Sequence, residues 1–207
     1  MFVQGDKLNL KYDIGIVVVD RIPFNQYVSR VRVSDSIMVE GLAYTTSGWG
    51  VRNHTANVAS GMPNSELQGA YVIAGKDSEC AKSPVFTNQT STPICTYNIK
   101  DFENGGCFGD AGSGLFVVNL GGAMDLMGVR SYSVLGKDGV CAGEGALEYY
   151  TRVSLMLDFI KDVTGLTEED VKAPPIYVYY NKNSPASDAA ERTESSTSDE
   201  PVKQKYY

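Results

Sequence analysis

Short segments that favour β-strands recur along most of the chain, and turn-forming residues separate them. Each segment is rich in valine and isoleucine or in other apolar residues, and glycine, asparagine and serine lie between segments. No helical repeat separates them, so an all-β sandwich or closed barrel is favoured over a βαβ sheet. The predicted strands are residues 14–19, 28–33, 42–47, 69–74, 114–119, 126–132 and 147–153.

The clearest predicted helix spans residues 154–164. Ser154 is a suitable N-cap, and Gly165 stands where the helix should end, because glycine readily adopts the left-handed conformation that closes helices. Apolar side chains fall at helical spacing on one face. They are Leu155, Met156, Phe159, Ile160 and Val163.

Size, charge and hydropathy exclude several classes of protein. A chain of 207 residues with 43% hydrophobic content is long enough to bury a core, and one main domain is expected. The net charge of −7 disfavours a nucleic-acid partner, which usually requires a basic face. The longest apolar runs, residues 14–19 and 115–120, are much shorter than a membrane span, so no membrane partner is expected.

Cysteines and sequons favour an extracellular protein. The cysteines lack the close C-x-x-C spacing of structural zinc sites, so we expect disulfides, with no metal and no cofactor. Three pairings remain open from the sequence. Asn53 and Asn88 begin Asn-x-Thr sequons and are candidate glycosylation sites. Residues 1–10 do not read as a signal peptide, so we expect a fragment of a secreted protein. The cysteines are Cys80, Cys95, Cys107 and Cys141.

The composition changes after the two prolines at 174 and 175. Residues 184–200 contain mainly serine, threonine, alanine and acidic side chains, which cannot offset the entropy lost on ordering. We therefore predict an acidic low-complexity tail over residues 166–207, disordered and solvent-exposed. Its tyrosine-rich stretch, residues 176–180, and the two terminal tyrosines are the parts that would dock on the barrel or on a partner.

Several sequence blocks, in the same order and at similar spacing, resemble the trypsin-like serine proteases. The blocks are Tyr12–Ile16 (YDIGI), Thr46–Gly50 (TSGWG), Leu67–Gln68, Pro93–Cys95, Gly105–Gly114 (GGCFGDAGSG), Met127–Ser133 and Tyr150–Val153. The resemblance covers about residues 13–164. It implies a chymotrypsin-like double β-barrel with a C-terminal helix, over residues 1–165. The first barrel would be incomplete, because the segments that bring the family's histidine would lie before residue 1.

The resemblance selects one pairing of the cysteines, Cys80 with Cys95 and Cys107 with Cys141. The second bridge would tie the family's nucleophile loop to the wall of its specificity pocket. A third bridge common in the family is replaced at both ends, by Tyr44 and Val117.

The resemblance also places a degenerate catalytic centre. Ala111 stands where the family has its attacking serine, and a methyl group cannot attack a carbonyl. Asp13 matches the carboxylate that orients the family's histidine. The chain's one histidine, His54, follows that aspartate instead of preceding it, and we interpret it as a surface loop residue. Ser113, two residues beyond Ala111, is interpreted as a small structural residue, because near-attack geometry does not tolerate such a displacement.

Backbone and pocket residues complete the predicted site. The N–H groups of Gly109 and Ala111 would form an oxyanion-hole-like pocket that binds a carbonyl without cleaving it. Asp110, which in active members pairs with a new α-amino group, should here pair locally or point away from the pocket.

Gly105 matches the base of the specificity pocket, and Glu148 matches its far wall. Glu148 would pair with a basic side chain of a ligand, or fill and block the pocket. Arg130 would either neutralise Glu148 or point outward. The strand that lines the bound substrate would be Ser131, Tyr132 and Ser133.

Three functions remain from this reasoning. The first is a catalytically inactive homologue that binds a peptide or protein, such as a protease inhibitor or a protease. The second is a residually active trypsin-like endopeptidase, acting through Ser113 or through an upstream segment. The third is a gene fragment without a stable fold. Ala111 and the position of His54 lead us to expect the first.

Overall fold

The structure, a computed structural model, describes residues 10–51, 65–98, 105–137, 139, 141 and 143–175. The described strands and helices are short, and strands predominate. The strands are β1 (Arg32–Val33), β2 (Ala43–Gly48), β3 (Gln68–Ala74), β4 (Ile94–Asn98), β5 (Gly114–Val118), β6 (Met124–Val134) and β7 (Leu147–Arg152); the α-helices are α1 (Asp77–Cys80), α2 (Leu157–Thr164) and α3 (Glu168–Lys172).

Six strands close into an antiparallel barrel. The order is β2, β3, β4, β7, β6 and β5, and β5 pairs again with β2. The two-residue strand β1 adds in parallel to β6. Closure leaves none of the six strands with an unpaired side along its whole length, which removes the liability of an open sheet. The predicted all-β, chymotrypsin-like architecture with a short C-terminal helix is therefore confirmed.

Apolar side chains, most of them from the barrel strands, form two buried clusters. Met38, Tyr44, Val72, Ala74, Ile94, Leu115, Met127 and Tyr150 form the first; Cys80, Phe86, Cys95, Leu147 and Tyr149 form the second. In the second cluster, the ring of Tyr149 stacks on Tyr132 with centroids 4.6 Å apart. All six residues of β7 are buried, so this strand lacks the alternation of a half-exposed strand.

Most strand predictions are confirmed to within a few residues, and one is wrong. The segments predicted at 42–47, 69–74, 114–119, 126–132 and 147–153 correspond to β2, β3, β5, β6 and β7. The segment predicted at 28–33 forms a strand only at Arg32–Val33. Residues 14–19 form no strand, because high β-propensity forms a ladder only where a partner strand is available. Strand β4 was not predicted.

The predicted helix is confirmed in its second half. Residues Val153–Met156 form a 3₁₀ turn, and α2 begins at Leu157, so the N-cap assigned to Ser154 is wrong. Gly165 has φ of 70° and donates its N–H to the Lys161 carbonyl, which confirms it as the C-terminal cap.

The predicted apolar face of this helix is only partly buried. Met156 is buried and Ile160 is half-buried. Leu155, Phe159 and Val163 are exposed. The barrel therefore covers one edge of the predicted stripe.

A further helix follows within the segment predicted as a tail. A capping box begins α3: Thr167 accepts from the Asp170 backbone N–H, and the Asp170 carboxylate accepts from the Thr167 backbone N–H. Lys172 in the last turn pairs with Asp35 at 2.8 Å and with Glu168 at 2.5 Å. Regular structure thus continues past Gly165. Residues 176–207, including the tyrosine-rich stretch, lie outside the described residues.

The chain divides into two compact units. One comprises residues 1–16 and 31–173 and contains the barrel; the other comprises residues 17–30 and 174–207. In the described part of the second unit, the Asn25 side chain accepts from the backbone N–H groups of Tyr27 and Val28. Arg30 Nε also donates to the Pro174 carbonyl at 3.2 Å.

Candidate functional site

The loop that precedes β5 is organised by the carboxylate of Asp110. One oxygen accepts from the Gly50 N–H at 2.7 Å, and the other accepts from the Cys107 N–H at 2.9 Å. The Asp110 carbonyl accepts from the Ser113 N–H at 3.0 Å, which closes a tight turn around Ala111. The prediction that Asp110 pairs locally is confirmed.

Glycines in the facing segment make room for this carboxylate. A Cβ at Gly48 would lie 2.0 Å from an Asp110 oxygen, and a Cβ at Gly50 would lie 2.4 Å from the carboxylate. Two glycines of the loop itself, Gly109 and Gly112, have φ of 95° and 91°. L-residues with a side chain rarely adopt this left-handed region. The glycine-rich sequence therefore fixes the loop around Asp110.

Ala111 is exposed at the tip of this turn. The next residue, Gly112, donates its N–H to the Arg130 carbonyl at 2.8 Å, and the Arg130 N–H donates to the Ser113 carbonyl at 2.8 Å. The loop is thus anchored to β6 immediately after Ala111. The Ser113 hydroxyl is buried and has no hydrogen-bond partner among the residues the structure describes.

Asp13 contacts β6 at Ser131, one residue beyond Arg130. Its Oδ2 accepts from the Ser131 hydroxyl at 2.6 Å, and its carbonyl accepts from the Thr151 hydroxyl at 2.7 Å. Because Gly112 bonds to Arg130 and Asp13 bonds to Ser131, the structure brings the Ala111 loop and Asp13 to adjacent residues of one strand. His54 and Asn53 lie outside the described residues.

A buried ion pair joins β6 to β7 behind the loop. The side chains of Arg130 and Glu148 are only 4% and 2% exposed, and Arg130 Nε lies 3.5 Å from Glu148 Oε2. The Glu148 oxygens also accept from the Gly106 N–H at 2.7 Å and from the Tyr150 hydroxyl at 2.6 Å. Of the two orientations considered for Arg130, the structure has the one that neutralises Glu148.

Burial dominates the protonation chemistry of this cluster. Desolvation raises the pKa of Glu148, and the Arg130 guanidinium opposes that shift only in part. Burial and the adjacent Glu148 carboxylate raise the pKa of Tyr150 well above its ordinary value. The Tyr150 phenol therefore keeps its proton and remains a hydrogen-bond donor to Glu148.

Arg130 also contacts two further parts of the site. Its Nη1 donates to the Cys107 carbonyl at 2.8 Å, and its Nη2 donates to the Ser133 hydroxyl at 2.6 Å. A Cβ at Gly106 would lie 2.3 Å from Arg130 Nε. The absence of a side chain at Gly106 is what allows the guanidinium to lie against the loop.

The remaining predicted pocket residues also lie against other parts of the chain. The Tyr132 hydroxyl is 2.5 Å from the Ser83 hydroxyl. A Cβ at Gly105 would lie 2.2 Å from the Asn98 side-chain amide, whose oxygen and nitrogen are buried without a partner among the described residues. Of the predicted pocket residues, Ser133 and Glu148 therefore lie against Arg130, whereas Gly105 lies against Asn98 and Tyr132 against Ser83.

Two disulfides support the site, with the pairing that the resemblance implied. Cys80 is bonded to Cys95, and Cys107 in the Asp110 loop is bonded to Cys141. Asn88, the described sequon residue, lies in a turn in which its Oδ1 accepts from the Thr90 backbone N–H at 2.9 Å. Its glycosylation stays a prediction.

Three residues of the site were not singled out from the sequence. Tyr150 bonds Glu148, Ser83 bonds Tyr132, and Asn98 lies against Gly105. Only Tyr150 had a usable signal: it lies two residues after Glu148 on one strand, so both side chains point to the same face. Ser83 and Asn98 come from distant parts of the chain.

The described residues contain neither a metal-binding cluster nor a membrane-spanning helix. Within them, no group of three or more histidine, cysteine, aspartate or glutamate side chains is arranged to hold a metal ion. None of the described helices is long and apolar enough to span a bilayer.

The closed barrel, the C-terminal helix and the clamped Asp110 loop together define a protein of the chymotrypsin-like fold. The trypsin family model matches residues 3–160, and the chain belongs to the trypsin family. It is similar to trypsin 5G1 of Aedes aegypti, with 30% identity over 169 residues that cover 78% of this chain and 56% of that protein. The chain therefore spans about half the length of this relative. Family membership and the two disulfides are consistent with a secreted protein.

Proposed function

We propose that this chain is a catalytically inactive member of the trypsin family that acts by binding peptide or protein partners. The observation that carries the proposal is Ala111, an exposed methyl group at the tip of the Asp110 loop. Acyl transfer in this family requires a nucleophilic oxygen at that point, and a covalent acyl-enzyme cannot form without it.

The backbone around Ala111 supports binding without cleavage. Neither the Gly109 N–H nor the Ala111 N–H donates to a described residue, and both residues are exposed. Two neighbouring N–H groups of this kind would donate hydrogen bonds to the carbonyl oxygen of a bound peptide. The retained pairing of Asp13 with Ser131 keeps the neighbouring surface in place.

Ser113 does not provide a substitute nucleophile in this arrangement. Its hydroxyl is buried, and its carbonyl and N–H are both used in anchoring the loop. A substrate carbonyl would have to reach a hydroxyl that is buried beneath the turn. Nucleophilic attack requires a close and aligned approach that this position does not offer. This burial weighs against the residually active endopeptidase.

Covalent labelling tests the inactive part of the proposal. The purified protein and its Ser113→Ala variant are treated with a fluorophosphonate probe, and the labelled residue is identified by mass spectrometry. We expect no label on either protein. Labelling of the unmodified protein at Ser113 that disappears in Ser113→Ala would contradict the proposal.

Calorimetric titration with protein inhibitors of serine proteases tests the binding part. We expect binding to at least one inhibitor that presents an extended loop, and a loss of about tenfold or more when Ala111→Arg obstructs the tip of the turn. Gly69→Ala is the matched control, because a Cβ at Gly69 would meet nothing within 4 Å. Equal binding by Ala111→Arg would place the interaction elsewhere on the molecule.

A further inference from the structure

We infer that Arg130 closes the specificity pocket of this protein by occupying, from within, the place where a basic side chain of a partner would bind. The inference rests on the proposed function, because it concerns what a partner can insert beside the Ala111 loop. It identifies Arg130 as the residue that sets selectivity.

Three segments surround the Arg130 guanidinium, although its Nε, 3.5 Å from Glu148 Oε2, makes no hydrogen bond to a described residue. Its donors meet the Cys107 carbonyl from the loop and the Ser133 hydroxyl from β6, and its Nε lies beside the Glu148 carboxylate from β7. A planar guanidinium with several donors suits such converging acceptors better than a lysine ammonium does. Three separate segments thus supply oxygens to one cation.

Glu148 already interacts with three groups of this chain. Its oxygens already accept from the Gly106 N–H and the Tyr150 hydroxyl and face Arg130, and its side chain is 2% exposed. A partner's arginine or lysine would place two cations beside one buried carboxylate, which is strongly unfavourable in a region of low dielectric constant.

The space available supports the same conclusion. Arg130 packs directly against Gly106 and is buried, so the guanidinium fills the volume between the loop and β7. A partner side chain that faces this region is therefore small or remains outside it. A basic side chain would require Arg130 to leave.

Chemical rescue tests the inference. Arg130→Ala removes the cation and leaves the Glu148 carboxylate in a cavity. We expect benzamidine and N-ethylguanidinium, measured by calorimetry and thermal unfolding, to bind Arg130→Ala at least about 30-fold more tightly than the unmodified protein. N-Ethylguanidinium reproduces the deleted part of the arginine side chain.

Two further variants control for loss of packing. Arg130→Ala combined with Glu148→Gln keeps the cavity but removes the charge, and we expect the gain in binding to disappear. Arg130→Met fills the volume without charge, and we expect it to remain closed to both probes. Should Arg130→Ala be unfolded alone, the expected result is recovery of cooperative unfolding as N-ethylguanidinium is added.

Three results would overturn the inference. They are tight binding of benzamidine by the unmodified protein, equal binding by Arg130→Ala and the double variant, and no recovery of an unfolded Arg130→Ala by either probe. These results are separable from failure of the proposed function. Covalent labelling of the unmodified protein would contradict inactivity, whereas benzamidine binding without labelling would contradict only the closed pocket.

Discussion

At the residue scale, Asp110 shows how a loop can keep its shape without a partner cation in the described part of the chain. Two backbone N–H groups, from Gly50 and Cys107, hold its carboxylate. Hydrogen bonds to the charged form stabilise a carboxylate even where no cation is nearby. The arrangement requires the facing segment to carry no side chain at Gly48 and Gly50.

Substitution of Gly50 tests this dependence. A Cβ at Gly50 would lie 2.4 Å from the Asp110 carboxylate, so we expect Gly50→Ala to lower the free energy of unfolding by about 1–3 kcal/mol. Denaturant titration monitored by circular dichroism measures the change. Gly69→Ala, where nothing lies within 4 Å, should change stability by less than about 0.5 kcal/mol. Similar effects from the two substitutions would show that Asp110 is not held as described.

At the element scale, local sequence patterns predicted the barrel strands β2, β3, β5, β6 and β7. They did not predict β4. Strands β2, β3 and β5–β7 are rich in β-branched, aromatic and other apolar residues that favour strands, so local sequence sufficed. Strand β4 also contains Ile94, Thr96 and Tyr97, which favour strands, but it has only five residues and follows Pro93 directly. Its pairing with β3 and β7 identifies it as a strand. Residues 14–19 are the opposite case: their sequence favours a strand, but they form none.

The candidate site was predictable to a similar extent. The motif around Ala111 and the position of Asp13 were identified from local sequence. The contact of Asp13 with Ser131 spans 118 positions, and that of Tyr132 with Ser83 spans 49. Such contacts arise only when the barrel closes, so no local pattern contains them.

The attachment of β1 to β6 provides a pH-dependent test. Arg32 donates from Nε and Nη2 to the two oxygens of Asp125, each at 2.8 Å, and Asn119 adds a third donor at 3.0 Å. The hydrogen bond from Arg32, more than any other influence, lowers the pKa of Asp125 below its ordinary value of 3.8. A lowered folded-state pKa means that the ionised carboxylate stabilises the fold above pH 3.8, and that this contribution is lost as the pH falls through the folded-state value.

We therefore expect Asp125→Asn to be less stable than the unmodified protein at neutral pH, with the difference shrinking as the pH falls below 3.8. Urea titrations across this range measure it. Lys137→Gln is the control, because the pair of Lys137 with Glu144 is 72% and 64% exposed and exposed pairs contribute little to stability. A pH-independent difference for Asp125→Asn would rule out ionisation of this carboxylate as the cause.

At the scale of the whole barrel unit, closure and crosslinking should make unfolding a single event. Each of β2–β7 pairs with two neighbours within the barrel, so loss of one strand exposes both adjacent ladders. The disulfides connect positions 15 and 34 residues apart. They shorten the unfolded chain and anchor the Asp110 loop through Cys107. We expect a gene fragment without a stable fold to show no such cooperative transition.

Removing each disulfide in turn tests whether the bridge stabilises the fold, supports inhibitor binding, or does both. On loop entropy alone, Cys107→Ser with Cys141→Ser should cost about 4 kcal/mol, and Cys80→Ser with Cys95→Ser about 3 kcal/mol. Trp49 lies beside Gly50, which bonds Asp110, so its fluorescence reports on the loop while far-ultraviolet circular dichroism reports on the barrel. In the unmodified protein we expect the two transitions to coincide.

Among variants that remain folded, only loss of the Cys107–Cys141 bridge should weaken inhibitor binding, because only that bridge holds the segment carrying Gly109 and Ala111. Transitions that do not coincide in the unmodified protein would favour the gene fragment without a stable fold. Equal loss of binding in both variants would show that partner recognition does not depend on this loop.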